Sequence, residues 1–210
     1  MNSQPPVILA SSSPQRRQLL EAAGYAMRVV VPRPHAECGI CSRETPPEMV
    51  ARLARQKAAD VLDQLHGSLA PDDTIVACDT VAECAGHILG KPTDRRHAQE
   101  MLELLRGRRH HVYSGLCVHR VSDAEPRVQV DRTTLRMDDL CDAQIAEYLD
   151  SGQWEGKAGS FGYQDRAGWL HIEQGSESNV IGLPLELLER LLGQDGSGVS
   201  GVADGHSPPQ

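Results

Sequence analysis

Asp79 makes the strongest chemical demand in this sequence, because it interrupts the apolar run Thr74–Val81. Such a run predicts a strand buried on both faces. An acid inside it loses its hydration unless it is ion-paired, protonated or bound to a metal. A second group lies in the turn Ser11-Ser12-Ser13-Pro14, which leads from a strand into a helix. The free N–H groups and dipole of a helix start favour an anion, whereas Arg16 and Arg17 in the first turn are unfavourable to the helix itself unless an external anion offsets them. The same residues also suit a well-capped helix with solvated arginines. Lys57 follows Leu53 and Ala54 at helical spacing, so it shares their apolar face and must either snorkel to water or meet an anion. Glu83 and the turn Gly90-Lys91-Pro92 bring an acid and a cation close behind the Asp79 strand, although Glu83 also fits a water-facing position. A carboxylate pair with a divalent cation is what phosphoanhydride hydrolysis requires: the ion neutralises phosphate charge and acidifies the attacking water. Glu37, in a preceding loop, is the second carboxylate that this reading selects.

Three further segments carry weaker signals. Gly156 to Gln164 is glycine-rich enough for close backbone approach to a ligand but matches neither a Walker A loop nor a dinucleotide fingerprint, and it also reads as an ordinary turn. Ser176 to Asn179 is a hydrogen-bonding loop or simply the approach to a helix. His35, Cys38 and Cys41 have ligand-like spacing, but no second pair completes a zinc set, so an inert loop is weighed against a metal or redox role.

The elements that must position these residues follow from local signals. Val7–Ala10 is a predicted strand, and Ser13 with Pro14 caps and opens a helix that stops at Gly24. A second strand is predicted over Met27–Val31 and a loop over Pro32–Glu44. Thr45 and Glu48 form a capping box for a helix from Pro46 to Leu65. After the Asp79 strand the chain turns at Ala85-Gly86-His87, and Asp94 caps a helix through Leu105. His111–Val121 and Val128–Met137 form a predicted antiparallel pair, Asp142 opens a helix ending near Gly152, Trp169–Glu173 is a strand, and Pro184–Leu192 is the last helix. From Gly193 the composition predicts a disordered tail, leaving residues 1–192 as one domain.

Composition narrows the function class. With 210 residues the chain suffices for one α/β domain of two lobes. Aromatics at 3% and a net charge of -8 argue against a nucleic acid polymer as partner, while a local basic pocket still suits a small anion. There is no apolar run of membrane-spanning length and no signal-like start, which predicts a soluble, cytoplasmic protein without a membrane partner. Six scattered cysteines fit reduced thiols.

Taken in order, six segments resemble the Maf family of nucleotide pyrophosphatases: Ile8 to Arg17, Arg52 to Ala58, Asp79-Thr80-Val81, Leu89 to Pro92, Lys157 to Gln164 and Asn179 to Leu185. The resemblance spans Val7 to Leu192. It implies a Maf/inosine-triphosphatase-like α/β fold, with a central twisted mixed sheet flanked by helices and a cleft between two lobes. It implies that Asp79 is the proton acceptor, that Glu37 and Asp79 lie near Mg²⁺ or Mn²⁺, and that Arg16, Lys57 and Lys91 hold a triphosphate; Ser11 and Arg17 are added as substrate-binding candidates from the serine turn and first helix turn. The implied reaction releases a nucleoside monophosphate and pyrophosphate, with house-cleaning of non-canonical nucleotides as one use and a homodimer as one assembly. One branch of the family, acting on dTTP and UTP, carries Arg, Thr and Gln at three selectivity positions, and a branch acting on 7-methyl-GTP carries Trp, Gln and Glu. Here they are Gln15, Thr80 and Gln164, which leans towards pyrimidines. The alternative function, by analogy with the family name, is protein interaction in arresting septum formation.

Overall fold

Both faces of Val7–Ala10 (β1) are buried, and the strand is therefore apolar throughout. It is followed by a helix over Pro14–Ala22 (α1), whose start is set by Ser13: its Oγ accepts from the Arg16 N–H at 3.4 Å, and Pro14 fills the first turn, where an N–H would have no partner. The chain returns as Met27–Val30 (β2), parallel to β1. A single 3₁₀ turn over Pro34–Glu37 occupies part of the expected loop. The long helix Pro46–Gln64 (α2) opens on the expected capping box, with Thr45 N–H and Oγ1 both donating to Glu48, at 2.9 and 2.7 Å. The computed structural model describes residues 6–37, 44–163 and 168–193. Cys38, Cys41, Gln164 and the tail from residue 194 onward lie outside the described residues.

Thr74–Cys84 (β3) runs three residues beyond its expected end. Ala85 and Gly86 both take positive φ (51° and 83°), the two-residue turn whose twist matches a hairpin, and His87–Leu89 (β4) folds back on Ala82–Cys84. β4 is too short for a periodic signal, which is why the sequence gives no sign of it. Asp94 caps Arg95–Leu105 (α3) as expected, through the His97 N–H at 2.8 Å. Arg109–Arg120 (β5) and Arg127–Met137 (β6) form the long antiparallel pair. Asp142–Asp150 (α4) opens at Asp142 as expected, with Cys141 as its cap and Gln144 accepting from the Cys141 N–H at 2.9 Å, while Asp142 ion-pairs with Arg106. Leu170–Gln174 (β7) pairs with β6. Ser176 then caps a short helix, Glu177–Ile181 (α5), in place of the expected loop, and the last helix is Leu185–Gly193 (α6).

Among the described residues the sheet is mixed and has seven strands, in the order β2-β1-β3-β5-β6-β7, with β4 on the edge of β3. β2, β1 and β3 are parallel, and the remaining pairs are antiparallel. Two lobes share β3. In the first, Ala54, Ala58 and Val61 of α2 pack on Ile75 and Ala77, while Leu20, Leu187, Leu188 and Leu191 of α1 and α6 cover Val76 and Cys78 on the opposite face. In the second, Met101, Leu102 and Leu105 of α3 and Ile145 and Tyr148 of α4 pack on Ala82, Val112, Leu135 and Met137. Period-two alternation thus directs residue 79 towards α2 and residue 80 towards α1.

One contact sets how closely α2 approaches the sheet. A Cβ at Gly115 of β5 would fall on the Val50 carbonyl in the backbone of α2. The Gly115→Ala variant should therefore lose about 2–3 kcal/mol of stability in urea unfolding, because a rigid backbone must move. A loss below about 0.5 kcal/mol would show that the helix seats itself by other contacts.

Candidate active site

The site lies where the sheet is incomplete. β1 pairs with Thr74–Ala77 and β4 with Ala82–Cys84, so on that side Cys78–Val81 has no strand neighbour among the described residues. A cleft of about 610 Å³ opens at this gap. Its walls are the turn Ser11–Arg16, the floor residues Glu37, Lys57, Asp79 and Thr80, the segment Gly156–Gly162 with Lys91, and Val180–Gly182 above.

Lys57 decides the electrostatics of the floor. It is 5% exposed, on the apolar face of α2, as its spacing from Leu53 and Ala54 requires. Its Nζ is 2.6 Å from Asp79 Oδ1 and 3.2 Å from Glu37 Oε1. Of the two outcomes open to it in the sequence, the ammonium meets anions. Asp79 takes the ion-paired option, and its side chain keeps 14% exposure towards the cleft. A buried charge is tolerated only with a well-placed partner, so Lys57 and Asp79 account for each other.

Arg16 is held just as firmly. Its Nε donates to the Gly182 carbonyl at 2.8 Å, Nη2 to Thr80 Oγ1 at 3.1 Å and Nη1 to Ser11 Oγ at 3.4 Å. Thr80 Oγ1 also contacts Ser114 Oγ at 2.9 Å. Ser11 is buried and accepts from the Ser13 N–H, so it shapes the turn. Gln15 lines the cleft and accepts from Ser13 Oγ at 3.0 Å. Lys91 follows β4, and the carbonyl of its neighbour Gly90 accepts from the Gly159 N–H at 3.0 Å, so the Lys91 loop and the glycine-rich segment are joined in one wall.

The structure therefore brings together Ser11, Gln15, Arg16, Glu37, Lys57, Asp79, Thr80 and Lys91. It does not bring Arg17, which is exposed and pairs with Glu21 at 2.7 Å along the outer face of α1. One residue further round the helix than Arg16 is enough to point it away from the cleft. Glu83 accepts from the Gly86 N–H at 2.7 Å and so belongs to the hairpin turn. Gln164 lies outside the described residues.

Three cleft residues had been assigned no role. Glu155 and Lys157 also line the cleft, Lys157 at the start of the segment Lys157 to Gln164 singled out in the sequence and Glu155 without any sequence signal. His110, also lining the cleft, is 4% exposed among apolar neighbours, and burial pushes it down to about 4. Cys78 sits under the floor with its Sγ 3.3 Å from the Gly182 carbonyl, and burial pushes its thiol up, so it behaves as a small packed hydrophobe. Cys84, Cys117 and Cys141 are likewise free thiols. Among the described residues no group of three His, Cys, Asp or Glu side chains could hold a metal ion by itself, and no helix is long and apolar enough to cross a membrane.

With this geometry in view, comparison with known proteins is specific. The family model described as Maf-like protein matches residues 6–195. A dTTP/UTP pyrophosphatase of Rhodopirellula baltica is 56% identical over 187 residues, covering 89% of this chain and 80% of its own. Proteins of the same name from Sphingopyxis alaskensis and Rhizobium meliloti are each 40% identical, covering 91% and 90% of this chain and 97% and 92% of their own.

His110 gives the site a pH signature. It stays neutral in the folded protein down to about 4, whereas in the unfolded chain it protonates near its ordinary 6.5. The unfolded state thus binds more protons in that window, and stability should fall by roughly 1 kcal/mol per pH unit between 6.5 and 4. Urea unfolding across this range should show a flatter profile for His110→Gln than for the wild type. Parallel profiles would mean that another group carries the dependence.

Proposed function

The chain belongs to the Maf-like protein family, and we propose that it is a nucleoside triphosphate pyrophosphatase acting on pyrimidine nucleotides, dTTP and UTP, to release the nucleoside monophosphate and pyrophosphate. The observation that carries this reading is the convergence of Lys57, Asp79 and Glu37 at the floor of a cleft that also holds Arg16, Lys91 and Lys157. The pyrimidine preference rests on the names of the relatives, and Thr80 agrees with it. Those names describe a hydrolysis, which favours the enzyme over an interaction role in septum formation.

The carboxylates of Glu37 and Asp79, drawn to one corner of the cleft by Lys57, would hold a hard divalent cation such as Mg²⁺ or Mn²⁺ beside that lysine. Among the described residues no third acidic or imidazole side chain joins these two carboxylates, which would leave the remaining coordination to water and phosphate oxygens, as is usual for Mg²⁺. A bound ion supplies neutralisation of phosphate charge and a more acidic water.

The chain's own residues do the rest. Arg16, fixed by Gly182 and Thr80, and Lys91, on the opposite wall, clamp the phosphates without reorganising during reaction. Lys57 fixes the Asp79 carboxylate, which accepts a proton from water as the water oxygen bonds to the α-phosphorus. The bond between the α-phosphorus and the bridging oxygen breaks, and pyrophosphate leaves.

Pyrophosphate release with Mg²⁺ should be faster for dTTP and UTP than for purine triphosphates. Asp79→Asn should lose about 10² to 10⁴ in rate if the carboxylate is the proton acceptor. Full turnover in that variant would remove Asp79 from the mechanism, and release of inorganic phosphate in place of pyrophosphate would reassign the bond cleaved.

A further inference from the structure

Glu37 is the least secured member of the floor. Its side chain is 56% exposed, and the tie that reaches the site is the 3.2 Å contact with Lys57. An exposed glutamate on one turn of 3₁₀ helix does not hold its place unaided, because freezing its rotamers costs entropy that a single solvated ion pair barely offsets. Its segment must therefore be secured elsewhere.

The securing group is Asp60. Lys57, Asp60 and Gln64 recur at i, i+3 and i+7 on α2, so they share one face, and all three reach the segment from Val31 to Glu37. The Asp60 carboxylate is only 4% exposed. Its Oδ2 accepts from the Arg33 backbone N–H at 2.8 Å and from Gln64 Nε2 at 2.7 Å. Its Oδ1 lies 3.1 Å from the His35 ring Nε2 and 3.5 Å from Arg33 Nη1. Gln64 Nε2 also donates to the Val31 carbonyl at 3.0 Å. Burial opposes ionisation of Asp60, but these donors prevail and hold it below the usual carboxylate range. Asp60 does not line the cleft.

We infer that Asp60 is a positioning residue for cation binding: by docking Arg33–Glu37 on α2 it sets the Glu37 carboxylate beside Lys57 and Asp79. This rests on the functional reading above, in which Glu37 and Asp79 hold the divalent ion. A buried carboxylate is a costly way merely to fasten a surface turn, since apolar packing would serve as well or better. What it adds is direction, because a hydrogen bond from the Arg33 backbone N–H and the close approach of the His35 ring nitrogen fix the segment's register along the helix as apolar contact does not.

The test uses Mn²⁺ alone, its binding followed by the electron paramagnetic resonance of the free ion, together with backbone hydrogen exchange over Arg33–Glu37. Asp60→Ala should speed exchange in that segment and weaken Mn²⁺ binding by about tenfold, in the range for groups that orient metal ligands. Asp60→Asn retains an acceptor for the Arg33 N–H and should give a smaller loss, which guards against a variant that merely unfolds. Combined with Glu37→Gln, Asp60→Ala should add little further loss, because both act through one carboxylate. Unchanged exchange in Asp60→Ala, or fully additive losses in the double variant, would overturn the positioning role. If exchange rises but neither Asp60→Ala nor Glu37→Gln alters Mn²⁺ binding, the assignment of Glu37 falls, and the role argued for Asp60 falls with it.

Discussion

The ion pair between Lys57 and Asp79 is the constraint around which the rest of this molecule is arranged. An ammonium 5% exposed on the apolar face of a helix and a carboxylate inside a central strand would each be untenable alone. Losing one partner of such a pair typically costs about 3–5 kcal/mol, and well-packed apolar residues would often serve stability better than the pair does. Its presence at the floor of a cleft is thus explained by chemistry and not by folding. The gap between β1 and β4 supplies the opening, and alternation along β3 gives Asp79 to the α2 side and Thr80 to the α1 side. Two adjacent residues thereby join the cation of each helix to one site.

The two walls come from different lobes. Arg16 is locked to Gly182 and Thr80 before any ligand arrives, so the first lobe offers a preformed donor. On the other side, the Gly159 N–H to Gly90 carbonyl bond couples the loop of Lys91 to the segment of Lys157. A polyanion lying between these walls meets charge from both without either wall having to assemble around it. Such preorganisation contributes to electrostatic catalysis because the dipoles and charges are already in place.

Much of this was legible in the sequence, and the reasons are local. The caps at Ser13, Thr45 and Asp94 depend on one side chain and a nearby N–H, and they set the helix starts that were expected. Asp79 and Lys57 stood out because each violates the apolar pattern around it. What was not legible depends on pairing at a distance or on very short elements. β4 exists because β3 offers it an edge, and α5 is a single capped turn or so. Arg16 and Arg17 are equivalent by type, and only their directions on α1 separate the one held by Gly182 from the one paired with Glu21. Asp60 was hidden because an acid on a helix normally reads as solvated. Its spacing from Lys57 and Gln64 was visible, but the segment those residues grip was not.

The account's central claim is that the Lys57–Asp79 floor, open at the sheet's gap, receives a nucleotide's phosphates. The most direct measurement is a crystal structure of the protein with Mg²⁺ and a dUTP analogue whose bridge between the α- and β-phosphorus is an uncleavable imide. The account predicts the phosphate chain between Arg16 and Lys91, with its α-phosphorus nearest Asp79. An analogue bound outside the cleft, with Asp79 sealed on Lys57 and remote from every phosphate, would contradict it.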